Sequence, residues 1–175
     1  ISARPYDGPP VGPATVVLAP FALSASSPLR GHKTLSALEQ VWARRHAAAL
    51  GADEALMVNT AGHLVEASAA NLFLVAGGRL LTPPLFDGAL PGVTRARVLA
   101  LAAEAGIAAD MDSSLARESL AEAQEAFLTS SLIGIRPVAS ADGQGLLVGP
   151  ETLTARLQAL LAGHWQDRAP TRRSG

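Results

Sequence analysis

The chain has 175 residues, about half of them apolar and only 17% charged, with a net charge of −1. That length suits one domain with a real core. Lysine and arginine neither dominate nor build a basic stretch, which excludes a nucleic-acid surface, and the absence of cysteine excludes disulfides, thiolate metal sites and a cysteine nucleophile.

The opening ISARPYDGPP has neither an initiator Met nor the layout of a signal segment, so residues 1–13 read as a linker or a cut end. ATVVLAPFAL (14–23) reads as a buried strand, closed by the Ser/Pro loop SASSPLRGH. From Thr34 onward Leu35, Leu38, Val41, Trp42 and Ala49 recur at helical spacing until Gly51 stops the pattern. Trp42, like Trp165 near the end, is expected in the core. Next come EALMVNT, HLVEA, NLFLVA and RLLT, separated by the tight turns AG and GG, a pattern that predicts an antiparallel meander.

The loop PPLFDGALPG leads into the helix VTRARVLALAAEAG, which Gly106 should stop. A strand IAADMD, a short helix SLARESLAEA and a strand EAFLTS follow. The last predicted helix is GPETLTARLQALLAGHW, with Pro150 in its first turn. Residues 14–166 thus make the folded domain, and 167–175 a polar, frayed tail. No repeat and no strict strand–helix–strand rhythm is visible, so the fold class is α+β, a mostly antiparallel, barrel-like sheet surrounded by helices. No apolar run approaches the roughly 18 residues of a membrane span. His32, His46, His63 and His164 show no ligand spacing, so no metal site is expected.

Four places carry chemistry. Lys33 is the only lysine beside thirteen arginines. Arginine replaces lysine on a solvated surface, but its delocalised, permanently protonated guanidinium cannot form an imine with an aldehyde. Glu66 ends a predicted strand before Ala67, Ser68, Ala69 and Ala70, small residues that leave room for a flat ligand. In LPGVTRARVL, Gly92 permits close backbone approach, and the N–H groups of Val93 and Thr94 open a helix whose dipole favours an anion. Thr129, Ser130 and Ser131 place three hydroxyls at a strand end. An amine, a carboxylate, a helix N-terminus and a hydroxyl cluster are the parts needed to hold pyridoxal 5′-phosphate.

The motifs GHKTLSALEQV, ADEALMVNTAGHLVEASAANLFLV, LLTPPLFDGALPGVTRARVL and EAFLTSSLIGIRPV resemble, in order, those of the class IV (fold type IV) pyridoxal-phosphate enzymes. That family includes branched-chain and D-amino-acid aminotransferases and 4-amino-4-deoxychorismate lyase. The resemblance spans roughly residues 14–142 and implies a role for each matching position. Lys33 is the implied Schiff-base lysine and general acid/base, and Glu66 the partner of the pyridine nitrogen. Leu90 is the apolar residue on the ring, Gly92, Val93 and Thr94 form the phosphate turn, and Ser130 with Ser131 make its second contact. Asn71 is implied to be structural.

The resemblance also implies a homodimer, and a smaller N-terminal domain of about a hundred residues that these residues do not contain. That domain would supply an arginine to the phosphate and much of the substrate pocket, so a fragment without full activity of its own is expected. Amino transfer between an amino acid and a 2-keto acid is the preferred expectation, in the cytoplasm. A lyase releasing pyruvate from aminodeoxychorismate is the alternative: LEQV is lyase-like, whereas Ala37 stands where lyases tend to carry a polar residue. A degenerate, non-catalytic chain is the third possibility.

Overall fold

A computed structural model of the chain describes residue 8 and residues 10–167. The expected tail beyond Asp167 and most of the expected linker lie outside the described residues. Strand β1 (Ala14–Leu23) coincides with the predicted one. Helix α1 (Leu38–Ala49) begins four residues later than its apolar spacing suggests, which leaves Lys33 in the loop before it. Its buried face also differs from the expected one. Leu35, Leu38, Val41 and Trp42 are all more than half exposed, while Ala43 and Ala47 pack against Ala55, Met57 and Val65. Small side chains let the helix lie close to the sheet and turn its large apolar residues outward.

The strands β2 (Glu54–Asn59), β3 (Leu64–Ala67), β4 (Asn71–Ala76) and β5 (Arg79–Leu81) match the predicted segments. A 3-10 turn (Leu85–Asp87) precedes α2 (Val93–Glu104). The Gly106 stop holds: its N–H bonds to Ala103 O at 3.1 Å and the next N–H, of Ile107, reaches back to Ala102 O at 2.8 Å. This cap needs a left-handed residue, and Gly106 has φ +69°. After it come β6 (Ala109–Asp110), α3 (Ser119–Glu122), β7 (Glu125–Ser130), β8 (Gly134–Ala141), β9 (Gln144–Gly145) and α4 (Leu153–Asp167).

All nine strands share one sheet, ordered β3-β2-β1-β8-β7-β4-β5-β6, with β9 against β8. The class is α+β, and five of the eight ladders are antiparallel, but the single meander is not formed. It divides into the hairpins β2–β3 and β4–β5, which sit toward opposite ends of the sheet, and β1 runs parallel to both of its neighbours. This order dictates the shape. Five strand spacings in a flat sheet separate β3 from β4 by roughly 24 Å, yet the four residue steps from Ala67 to Asn71 reach at most roughly 14 Å. The sheet therefore curls into a half-barrel, and the curl creates a cleft at the turn between β3 and β4.

Two elements depart from the sequence pattern for local reasons. β8 has no counterpart among the predicted elements; within it Pro137 faces Phe127 of β7, and pairing with β1 starts only at Val138. The short helix keeps only its second half, because Leu115 O takes the Leu64 N–H at 2.7 Å and His63 bridges Ala116, holding the first half extended.

Side-chain alternation sorts the core. Leu72, Leu74, Ala126 and Leu128 fill the concave side, whereas Phe73 and Phe127 face outward to Val98 and Leu101 of α2 and Leu157 and Leu161 of α4. Phe73 and Phe127 are cross-strand partners whose rings stack at 4.8 Å. Trp165 is not a core residue: it is 48% exposed and lies over Gly134, where an added Cβ would come within 3.1 Å of its ring.

The start of α4 is held by a buried carboxylate. Glu125 accepts the N–H groups of Leu153 and Thr154, each at 2.9 Å, and the Thr154 hydroxyl at 2.7 Å. Glu125→Ala should lower the free energy of unfolding by about 2 kcal/mol in a urea titration, because it orphans helix N–H groups in a buried place. A loss below about 0.5 kcal/mol would be inconsistent with this cap.

Candidate active site

Four segments distant in sequence surround one cleft of about 700 Å³: the loop and helix start 31–40, the β3–β4 turn 66–71, the segment 90–94, and the β7–β8 turn 129–132. Lys33, Glu66, Leu90, Gly92, Val93, Thr94, Ser130 and Ser131 all lie on its wall. Four segments that the sequence left separate thus converge on one space.

Lys33 is exposed on the cleft wall, and no carboxylate of the described residues lies within 4 Å of its amine. Its loop is secured by Arg30, which ion-pairs with Glu39 of α1 and packs across Gly88. Gly88 has φ +106°, a conformation strained for any other residue, and an added Cβ would crowd Arg30 Cδ at 3.1 Å.

Glu66 is partly buried, and both of its hydrogen bonds fall on Oε2: from Leu90 N–H at 2.9 Å and from Asn71 Nδ2 at 3.3 Å. Among the described residues Oε1 has no hydrogen-bond partner. Burial raises the carboxyl from an ordinary 4.5 to about 7, opposed by the Leu90 N–H and by the positive charges of Arg30, Lys33 and Arg95. The Leu90 segment is itself fixed from behind. Asn59 Nδ2 donates to Asp87 O at 3.1 Å and to Asp87 Oδ1 at 3.2 Å, His63 Nδ1 lies 3.0 Å from the same Oδ1, and Asn71 Nδ2 holds Leu90 O at 2.8 Å.

Gly92 precedes α2 with φ −68°, so its backbone suits any residue. What forbids a side chain is space: an added Cβ would collide with Asn71 Oδ1. The close approach read from the sequence is therefore between two parts of the protein. No side chain caps α2, so the N–H groups of exposed Val93 and buried Thr94 are available at the positive end of the helix. Ser130 and Ser131 face them from the β7–β8 turn, with Ser130 Oγ accepting Ile133 N–H at 3.4 Å.

Several residues around the cleft escaped the sequence reading. Arg30 and buried Arg95 lack a motif of their own. Asn71, read as structural, both orients Glu66 and anchors Leu90. Gln40, also unread, carries a buried, unpartnered Oε1, whereas Thr129, grouped from the sequence with Ser130 and Ser131, is 1% exposed with an unpartnered hydroxyl.

The sequence model of the class IV amino-transferases matches residues 1–141. The chain belongs to the class IV aminotransferases. It is 38% identical over 125 residues to the branched-chain-amino-acid aminotransferase of Escherichia coli K12, covering 71% of this chain and 39% of that one. A Legionella pneumophila protein provisionally named 4-amino-4-deoxychorismate lyase superposes with a TM-score of 0.83 and 34% identity, over 91% of this chain and 58% of its own. The PLP form of a branched-chain aminotransferase from Thermobaculum terrenum does so with a TM-score of 0.83 and 26% identity, over 89% and 52%. The chain thus spans about half the length of the relatives it matches.

The Thermobaculum terrenum structure is that of the pyridoxal 5′-phosphate form. The residues present in this chain fit that cofactor. The lone amine, a carboxylate with a free oxygen, an uncapped helix start and buried hydroxyl Thr129 Oγ1 all border a cleft wide enough for a ring and a phosphate.

The Glu66 carboxyl carries a pH signature. Its pKa is higher folded than unfolded, so the unfolded chain gives up this proton first. The folded state is unpenalised below about 4.5 and progressively penalised as pH rises to about 7. Melting curves of the ligand-free protein should therefore show the advantage of Glu66→Gln over wild type growing from pH 4.5 to pH 7 and then levelling. A difference independent of pH would refute the raised carboxyl.

Proposed function

We propose that this chain is the cofactor-binding part of a pyridoxal-phosphate-dependent aminotransferase that moves an amino group between an amino acid and a 2-keto acid. The observation that carries this reading is the placement of the only lysine on the same cleft as Glu66 and the uncapped start of α2. When bound, the cofactor supplies an aldehyde carbon that takes up an amine and a pyridinium ring that withdraws electrons from the substrate's α-carbon.

The side chains divide the remaining work. Lys33 is the covalent anchor, and its Nζ, once freed and neutral, takes the proton from the substrate Cα and returns it. Its exposure and lack of a carboxylate partner leave the amine free to move between those tasks. Glu66 pairs with the ring nitrogen. A cation beside it favours the ionised carboxylate, offsetting the burial that raises its pKa. Leu90 packs on the ring. The N–H groups of Val93 and Thr94, the Thr94 hydroxyl, Ser130 and Ser131 hold the phosphate, and Gly92 lets the chain pass over Asn71 to reach it.

A second reading, 4-amino-4-deoxychorismate lyase, is supported by the Legionella structure at 34% identity and by the lyase-like LEQV of α1. It uses the same lysine on the same proton, with pyruvate as the product. Pyruvate release from aminodeoxychorismate, measured beside keto-acid-dependent amino transfer in the full-length protein, separates the two. Under either reading Lys33→Arg keeps the charge and should abolish both turnover and the visible absorbance that appears on adding the cofactor. A variant that keeps that absorbance overturns the assignment of Lys33.

We further propose a homodimer, working in the cytoplasm. The outward row Leu35, Leu38, Val41 and Trp42 supports a second copy as its cover, since a contiguous apolar strip next to a site is what interfaces bury. Light scattering of the full-length protein should give a dimer, and Trp42→Glu a monomer. A monomeric wild type contradicts this.

A further inference from the structure

Among the described residues, Thr129 carries a hydroxyl that is buried, lacks any hydrogen-bond partner and borders the cleft. A buried hydroxyl without a partner is costly, so native proteins seldom keep one unless something absent completes it. Its position says what that something is. Thr129 shares its face of β7 with Phe127, the face on which Val98 and Leu101 of α2 pack. Its partner across the β4–β7 ladder is Asn71, whose side-chain oxygen lies where a Cβ of Gly92 would have to go. Thr129 thus pairs with the residue that touches Gly92, the N-cap of α2, and lines the same cleft as Val93 and Thr94, whose N–H groups no side chain caps.

We infer that Thr129 is a further cofactor-contacting residue, its hydroxyl donating to the phosphate while Thr94, Ser130 and Ser131 hold it from the rim. This rests on the pyridoxal-phosphate reading of the cleft. Thr129 differs from the rim residues in being wholly enclosed. Its contact is made away from water, where a hydrogen bond to a charged oxygen is strongest. The same enclosure makes the unfilled site a local weak point, because the hydroxyl loses water on folding and gains no protein partner.

The test compares full-length wild type with Thr129→Val, which keeps the shape and removes the hydroxyl, and Thr129→Ser, which keeps the hydroxyl. Two ligands are titrated by absorbance: pyridoxal 5′-phosphate, and pyridoxal without the phosphate. Thr129→Val should bind the phosphorylated ligand roughly ten- to a hundredfold more weakly and pyridoxal unchanged, with Thr129→Ser close to wild type. Without ligand, Thr129→Val should melt no lower than wild type, an outcome that a purely structural threonine would not give. A Thr129→Val variant that binds both ligands like wild type, or is weakened equally for both, or melts lower when ligand-free, overturns this contact and leaves the cofactor reading standing. A wild type that binds neither ligand overturns both.

Discussion

The Asn71 side-chain amide joins the end of β3, the start of β4 and the segment leading into α2, because Nδ2 reaches Leu90 O at 2.8 Å and Glu66 Oε2 at 3.3 Å. The same side chain presses its oxygen against the space that Gly92 leaves vacant. Asn71 is also where the β4–β7 ladder ends, opposite Thr129. One small polar residue thus sets the distance between the Glu66 carboxylate and the uncapped start of α2. A longer amide would not fit under Gly92, and an apolar residue would leave Leu90 O and Glu66 without their donor in a place poor in water. The curl of the sheet makes this meeting possible, since a flat sheet would hold the end of β3 far from β7.

The electrostatics of the cleft follow from that arrangement. Glu66 is withdrawn from water and so resists ionisation, while one N–H donor and three more distant cations pull the other way. A carboxylate so balanced near neutral pH responds strongly to a cationic partner. The amine is treated oppositely: Lys33 stays in contact with solvent and is not locked into an ion pair, whereas Arg30 takes up Glu39. A guanidinium suits such a permanent pairing, whereas a lysine nitrogen is able to lose its proton.

The cleft walls come from loops at strand ends and from helix starts, held by rigid elements behind them. Asn59, His63 and Asp87 brace the Leu90 segment, and Phe73 stacked on Phe127 stiffens the two strands that end at the cleft. Such a layout puts the cleft-lining segments on loops and leaves the sheet as the rigid frame behind them. The large apolar side chains of α1 point away from this core, beside the loop that bears Lys33.

Much of the chain could be read without coordinates. β1, β4 and β7 fall where alternation and turn residues place them, Gly106 ends α2, and the lone lysine, the small residues after Glu66, the Gly92 turn and the Thr129–Ser131 hydroxyls mark the four walls. Those signals act over a few residues, through backbone preference and side-chain chemistry, so the sequence by itself determined them. Other features depend on which segments meet across the sheet. They include the separation of the two hairpins, β8 around Pro137, the outward turn of Trp42, the raised Glu66 carboxyl and the unpartnered Thr129 hydroxyl. Burial, register and desolvation are properties of neighbours brought together from far along the chain, and only the tertiary structure decided them.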